Sequence, residues 1–175
     1  MPEGKTLYLV RHAESNGPSS SQRDFDRQLN TRGEHDAQEM GRQLKIRGIQ
    51  PDIIVSSPAR RAAQTSEFIA TELGIPADSI VFEEKIYDAS VSNLVGIIQT
   101  LKDSYTSVMR IGHNPAISWL VHQLTGEHIA NAPPCAMATV RISSTHWNDV
   151  RTCPAELLDF DYPKNSFGSN TPHIS

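Results

Sequence analysis

The chain has 175 residues, 38% hydrophobic and 21% charged, which excludes disordered and fibrous classes and fits one ordinary domain. Sixteen Lys and Arg against twenty Asp and Glu give a net charge of −4, so the global basic footprint of a nucleic-acid binder is absent. No apolar run approaches the ~18 residues that span a bilayer, and Cys135 and Cys153 lack the spacing of a zinc ligand set or a disulfide framework. The N-terminal stretch has neither the basic region nor the long apolar segment of a signal peptide, so the expected address is cytoplasmic, with no membrane partner.

Residues 6–10 are a β-rich run ending in a polar cluster, the expected first strand. Residues 16–26, rich in Ser, Gly, Pro and charge, read as a loop. Ala37, Met40, Leu44 and Ile46 predict a helix over 31–47, with Thr31 and Glu34 as a capping box and Gly48 as its left-handed stop. Residues 53–55 form the second strand. Ser57-Pro58 then predicts a helix to Leu73, Ser57 as N-cap and Pro58 as first helical residue. Short extended pieces are expected at 80–82 and 85–87, a helix over 91–101 and a third strong strand at 106–111. A helix from Pro115 to Gly126 follows, with Trp119 read as packing, and 136–142 and 156–162 alternate as two late strands. The domain spans 5–162 and residues 163–175 form a polar tail. Alternating strands and helices predict a three-layer α/β/α fold around a mostly parallel central sheet.

In such folds sites gather at the carboxyl ends of strands. The first strand ends in Arg11-His12-Ala13-Glu14-Ser15, the second runs into Ser56-Ser57-Pro58-Ala59-Arg60-Arg61, and the third ends in Gly112-His113-Asn114-Pro115. A parallel sheet would bring two histidines and two or three arginines to one point. Arginine forks and a helix N-terminus suit phosphoryl oxygens, and neutral imidazole is a competent nucleophile toward phosphorus.

These residues carry a family resemblance. Arg11-His12 after a strand resembles the signature of the histidine phosphatase superfamily, which includes the phosphoglycerate mutases. Asn30-Thr31-Arg32-Gly33 with Asp36-Ala37, Ser57-Pro58-x-x-Arg61-Ala62-x-Gln64-Thr65 and Gly112-His113-Asn114-Pro115 are similar to its short branch, the SixA-type phosphohistidine phosphatases. Ala13 stands where the commonest signature has glycine, a replacement usual in that branch. The resemblance implies a phosphoglycerate-mutase-like fold, with His12 as the nucleophile that becomes phosphorylated. It also implies that Arg11 and Arg61 clamp the phosphoryl oxygens and that His113 binds the transferring group. Asn16 and Asn114 are additional donor candidates for substrate, and Arg60, off the motif, is a solvated neighbour. No metal or other cofactor is expected.

Relatives resembling the mutases place an acidic glutamate after the second helix. Glu83, Glu84 and Asp88 lie there, and Asp88 is the candidate general acid by position, although Ile86-Tyr87-Asp88-Ala89-Ser90 does not match that glutamate's surroundings. A weak acid favours an imidazole leaving group over an alkoxide. The expected partner is therefore a phosphorylated protein carrying phosphohistidine. A small phosphoester, sugar phosphate or nucleotide, is the alternative substrate, and a non-catalytic phosphate-binding module is the alternative class.

Overall fold

The first strand, β1 (Lys5–Arg11), sends Leu7 and Leu9 into one apolar cluster and Val10, with Tyr8 packed beside it, into another on the opposite face. This period of two makes a strand that is buried on both sides, as a central strand between helix layers must be. The computed structural model describes residues 4–163. Within them β1, β2 (Ile53–Ser56), β3 (Val81–Phe82), β4 (Ser107–Gly112), β5 (Met137–Ile142) and β6 (Ala155–Asp161) form one sheet, ordered β3-β2-β4-β1-β5-β6. Helices α1 (Thr31–Ile46) and α2 (Arg60–Leu73) cover one face with Ala37, Met40, Leu44, Ala62, Ile69 and Leu73. On the other face, α3 (Val91–Gln99) and α4 (Ala116–Thr125) contribute Leu94, Val95, Ile98, Ile117, Leu120 and Val121, with Trp147 beside them. This is the expected three-layer, mostly parallel α/β fold.

The pairings β1–β4, β2–β4 and β2–β3 are parallel, whereas β1–β5 and β5–β6 are antiparallel. Alternation in the late strands reports which side chains face the core, not strand direction, so this reversal was not readable from the pattern. Other expectations also shift. Asn30, not Thr31, caps α1: its backbone is extended and its side chain accepts the Gly33 N–H at 2.8 Å. Its amide also donates to Glu14 at 2.9 Å, an anchor that Thr31 cannot provide from the first helical turn. Helix α2 begins at Arg60, two residues later than Pro58, with Ala59 at its N-cap position; the Ser57 hydroxyl accepts the Ala59 N–H at 3.2 Å and lies 2.8 Å from His113 Nε2. The segment 85–87 is not extended; Glu84–Ile86 is a 3-10 turn that buries Ile86. Ile46 and Trp119 are 72% and 58% exposed, contrary to their expected packing. Each lies two positions, about 200°, from a core residue (Leu44 and Ile117) and so falls on the outer side of its helix. Gly48 does take the expected left-handed conformation after α1, at φ 74°. The expected tail lies outside the described residues apart from Pro163. No helix among the described residues is long and apolar enough to cross a membrane.

The glycine of Asn30-Thr31-Arg32-Gly33 has a steric reason. A Cβ on Gly33 would lie 2.0 Å from the Glu14 carbonyl oxygen, in the chain just beyond His12. We expect Gly33→Ala to destabilise the protein by at least about 1–3 kcal/mol, because backbone rather than a flexible side chain must move. Urea unfolding measures this, and a stability within error of the parent would contradict it.

Candidate active site

Sheet register assembles the site. Arg11 pairs with Gly112 and Ser56 with Ile111, so β1, β2 and β4 end level at one edge of the sheet. The backbone continues this alignment: His12 N–H donates to the Gly112 carbonyl and Ser57 N–H to the Ile111 carbonyl, both at 3.0 Å. His12, Ser57 and His113 are therefore consecutive steps past one sheet edge. The Thr65 hydroxyl locks α2 to this edge by accepting the Ala13 N–H at 2.9 Å and donating to the Arg61 carbonyl at 2.8 Å. Gln64 accepts the Leu29 N–H at 2.8 Å, tying the 16–28 loop to the same helix. Gln64 and Thr65 thus hold the motif together without touching its chemistry.

His12 is 7% exposed. Its Nδ1 lies 2.8 Å from the Ala13 carbonyl, a partner that can only accept, so Nδ1 carries the ring proton. The Arg61 Nε–H, 3.3 Å away, points at Nε2, which must offer a lone pair. Two independent contacts therefore specify the same neutral tautomer. Burial is the main cause that lowers the His12 pKa to about 3; the Ala13 hydrogen bond opposes this, and His113, Arg61 and Arg11 reinforce it. With its pKa lowered this far the ring is neutral at physiological pH, and its unprotonated Nε2 faces a guanidinium.

His113 lies beside it, ring centroids 5.2 Å apart. Its pKa falls to about 4, first through burial and then through Arg61. Ser57 Oγ accepts the Ala59 N–H at 3.2 Å and sits 2.8 Å from His113 Nε2. The Ser57 hydroxyl can either donate to or accept from this nitrogen, so the contact fixes the place of the His113 ring and leaves its tautomer open. The Nδ1 of His113 and the Nε of Arg11 are buried side-chain polar atoms without a partner among the described residues. Buried polar atoms are costly to leave unpaired, and such atoms mark functional sites more often than ordinary core.

Arg11 donates through Nη1 to the Ala132 carbonyl at 2.8 Å, which fixes its guanidinium. Burial and the neighbouring Arg61 lower its pKa from the usual arginine value. The Asn114 amide donates to the same carbonyl at 3.0 Å, so Asn114 buttresses the loop that holds Arg11. Asn16 is exposed; its N–H donates to the Gln28 carbonyl at 2.9 Å and its carbonyl accepts from Arg27 Nη1 at 2.7 Å. Asp88 is exposed and makes no hydrogen bond or ion pair among the described residues. Arg60 is exposed, as expected of a solvated neighbour.

Three participants were missed. Ser57 was read as a helix cap, although its place between the second strand and Arg61 marks it. Asp24 lies in a 3-10 turn (Asp24–Asp26), pairs with Arg61 at 3.1 Å and accepts the Tyr87 hydroxyl at 2.7 Å. Tyr87 in turn sets its ring edge-on to His113, 5.6 Å between centroids. The only sequence signal for this pair was Asp24 three residues before Arg27, a spacing common in loops.

Residues 7–105, more than half of the chain, match the family model of the histidine phosphatase superfamily (branch 1). The chain belongs to that superfamily. Membership makes it a phosphatase that works through a histidine. The uncharacterized protein Rv1276c of Mycobacterium tuberculosis is 29% identical over 165 residues, covering 89% of this chain and all of that protein. Phosphohistidine phosphatase SixA of Escherichia coli is 27% identical over 141 residues, covering 79% and 86%. Among solved structures, one assigned to SixA from Agrobacterium tumefaciens is 28% identical, with TM-score 0.75 over 93% of this chain and 99% of that one. The protein histidine phosphatase SixA complexed with tungstate gives TM-score 0.80 at 23% identity, over 92% and 99%, and supports the fold.

Proposed function

We propose that the domain over residues 5–162 dephosphorylates phosphohistidine on a protein, through a phosphohistidine intermediate on His12. Arg11, Arg61 and His113 hold the phosphoryl oxygens. The observation that carries this reading is the doubly specified His12 tautomer, with the Nε2 lone pair beside Arg61; the buried Arg11 Nε and His113 Nδ1, unpartnered among the described residues, add to it. Likeness to SixA proteins supports the substrate class.

The proton inventory favours phosphohistidine over an ester. A phosphohistidine ring protonated on its free nitrogen leaves as neutral imidazole once the P–N bond breaks. Neutral His12 forms the new P–N bond through Nε2 and becomes the protonated phosphoimidazole, keeping its Nδ1–H on Ala13. One imidazole replaces another and no proton is transferred. Water then attacks phosphorus, His12 leaves as the neutral ring, and the two protons of water depart on dihydrogen phosphate. An ester would release an alkoxide and require an acid. Asp24, the carboxylate at the cluster, is held far below the usual carboxylate range, chiefly by the Tyr87 hydroxyl and further by Arg27 and Arg61, so it is not that acid. No step needs a metal, because arginine and histidine donors supply the charge stabilisation that phosphoryl transfer demands.

The test is a comparison of kcat/KM for a phosphohistidine-bearing phosphocarrier protein with that for a panel of sugar phosphates and nucleotides, combined with rapid acid quench. The expected result is an advantage of at least about tenfold for the phosphoprotein and a label on the enzyme that is acid-labile and base-stable. A sugar phosphate or nucleotide turned over faster than the phosphoprotein would replace this substrate assignment.

A further inference from the structure

Asp24 has more contacts than an Arg61 counter-ion requires. Its Oδ2 accepts from the Tyr87 hydroxyl at 2.7 Å and from Arg61 Nη2 at 3.1 Å, and its Oδ1 accepts from Arg27 Nε at 2.9 Å. Its backbone carbonyl takes Arg61 Nη1 at 2.7 Å. The Asp24–Tyr87 bond joins residues 63 apart and closes a bridge between the 16–28 loop and the segment after β3. Phe25 packs edge-on against the Tyr87 ring, 5.1 Å between centroids, and steadies it. The guanidinium that meets Asp24 through both terminal nitrogens is the one whose Nε meets His12. The carboxylate therefore borders the phosphoryl pocket, yet its side chain is 53% exposed and open to an incoming group.

We infer that Asp24 is the leaving-group subsite: its carboxylate receives the N–H of a protonated phosphoimidazole ring and so selects phosphoramidates with a cationic leaving group over phosphoesters. This rests on the function proposed above and adds the residue that recognises the group being released. Three donors keep Asp24 ionised, so it attracts a proton already on the substrate instead of supplying one. The substrate ring stays protonated while bound, its P–N bond breaks, the electron pair returns to the ring nitrogen, and neutral imidazole departs with the proton it brought. Asp24 remains a carboxylate throughout. For a phosphoester the same carboxylate opposes the negative charge growing on the leaving oxygen, so selectivity comes from attraction and repulsion together.

The charged and titratable groups around Asp24 are Arg27 in its own loop, Arg61 on α2, Tyr87 with Asp88 near it, and His113 beyond Tyr87; Arg23 and Asp26 pair with each other. None of these exchanges a proton in the step.

The experiment compares wild type and Asp24→Asn with phosphoimidazole and with p-nitrophenyl phosphate, whose leaving group departs as an anion, from pH 5 to 9. Tungstate inhibition of both proteins reports the integrity of the oxyanion clamp. The expected result is that kcat/KM for phosphoimidazole falls about ten- to a hundredfold further than that for the ester, the worth of one charge-assisted hydrogen bond. The alkaline limb of the phosphoimidazole profile also moves to lower pH, because the bound ring loses the anion that holds its proton. Equal losses for both substrates, with weakened tungstate inhibition, would make Asp24 a support for Arg61 only and overturn the inference. An unchanged substrate ratio and pH limb would overturn it too, while labelling of His12 from phosphoimidazole would leave the proposed function standing. Absence of phosphoimidazole turnover and of label in wild type would remove both.

Discussion

Replacing His12 by Ala lowers kcat/KM by at least about 10³-fold and abolishes the covalent phosphoenzyme. The size follows from what the side chain does. In the proposed function the surrounding groups are donors to the phosphoryl oxygens; His113 Nε2 is engaged with Ser57, and Asp24 already accepts from Tyr87, Arg61 and Arg27. The variant keeps Arg11 and Arg61, so it retains the capacity to bind oxyanions, and inhibition by tungstate should persist while turnover is lost. That separation of binding from chemistry distinguishes the nucleophile from a residue that merely shapes the pocket. Added imidazole offers a sharper control, because the space vacated beside Arg61 Nε is that of one imidazole ring. Partial recovery, with phosphoimidazole appearing transiently in solution, is the expected signature by ³¹P NMR. A His12→Ala protein with turnover within about tenfold of wild type would rule out covalent catalysis at this position.

The four residues at the heart of this site were readable in the sequence because each follows a strand at a fixed step. Arg11-His12 and Gly112-His113 sit at register-matched strand ends, and Arg61 lies in the first turn of the helix that follows β2. Strand periodicity and a parallel arrangement suffice to bring such positions together. Asp24 and Tyr87 were not readable, for the opposite reason. They belong to segments without periodicity, and their meeting depends on how two loops fold over a sheet edge, which no local pattern encodes. Ser57 was visible yet misassigned. A serine before proline at a strand–helix junction satisfies the rules for a cap, and only the position of His113, 56 residues on, shows that its hydroxyl meets the ring of that histidine. Trp119 and Ile46 failed through phase: hydrophobicity placed them with the core, whereas helical rotation turns them to solvent.

Stability falls steadily as pH drops from about 6.5 toward 4, because the fold holds two histidines neutral. His12 is lowered from the ordinary 6.5 to about 3 and His113 to about 4, burial being the leading cause for both. In this window the unfolded chain binds protons at both positions and the folded chain does not, so protonation favours unfolding; above pH 6.5 neither state is protonated and the effect vanishes. Linkage sets the limiting slope at about 1.4 kcal/mol per pH unit for each ring, about 2.7 kcal/mol for the pair once the unfolded rings are fully protonated. His146 works in the opposite direction, since its hydrogen bond with Asp103 raises its pKa, but it lies at the surface, where screening weakens the pairing. Asp24, whose pKa is depressed, removes further stability only below the ordinary aspartate range near 3.8. Denaturant unfolding at pH 7.5, 5.5 and 4.5 measures the slope, and a double variant, His12→Asn with His113→Asn, removes both titrating rings. The wild type should lose stability steeply over this range and the double variant much less. Parallel pH profiles for the two proteins would show that these histidines are not the neutral, desolvated pair on which nucleophilic attack depends. The same arrangement that keeps Nε2 unprotonated for chemistry therefore makes the fold sensitive to acid.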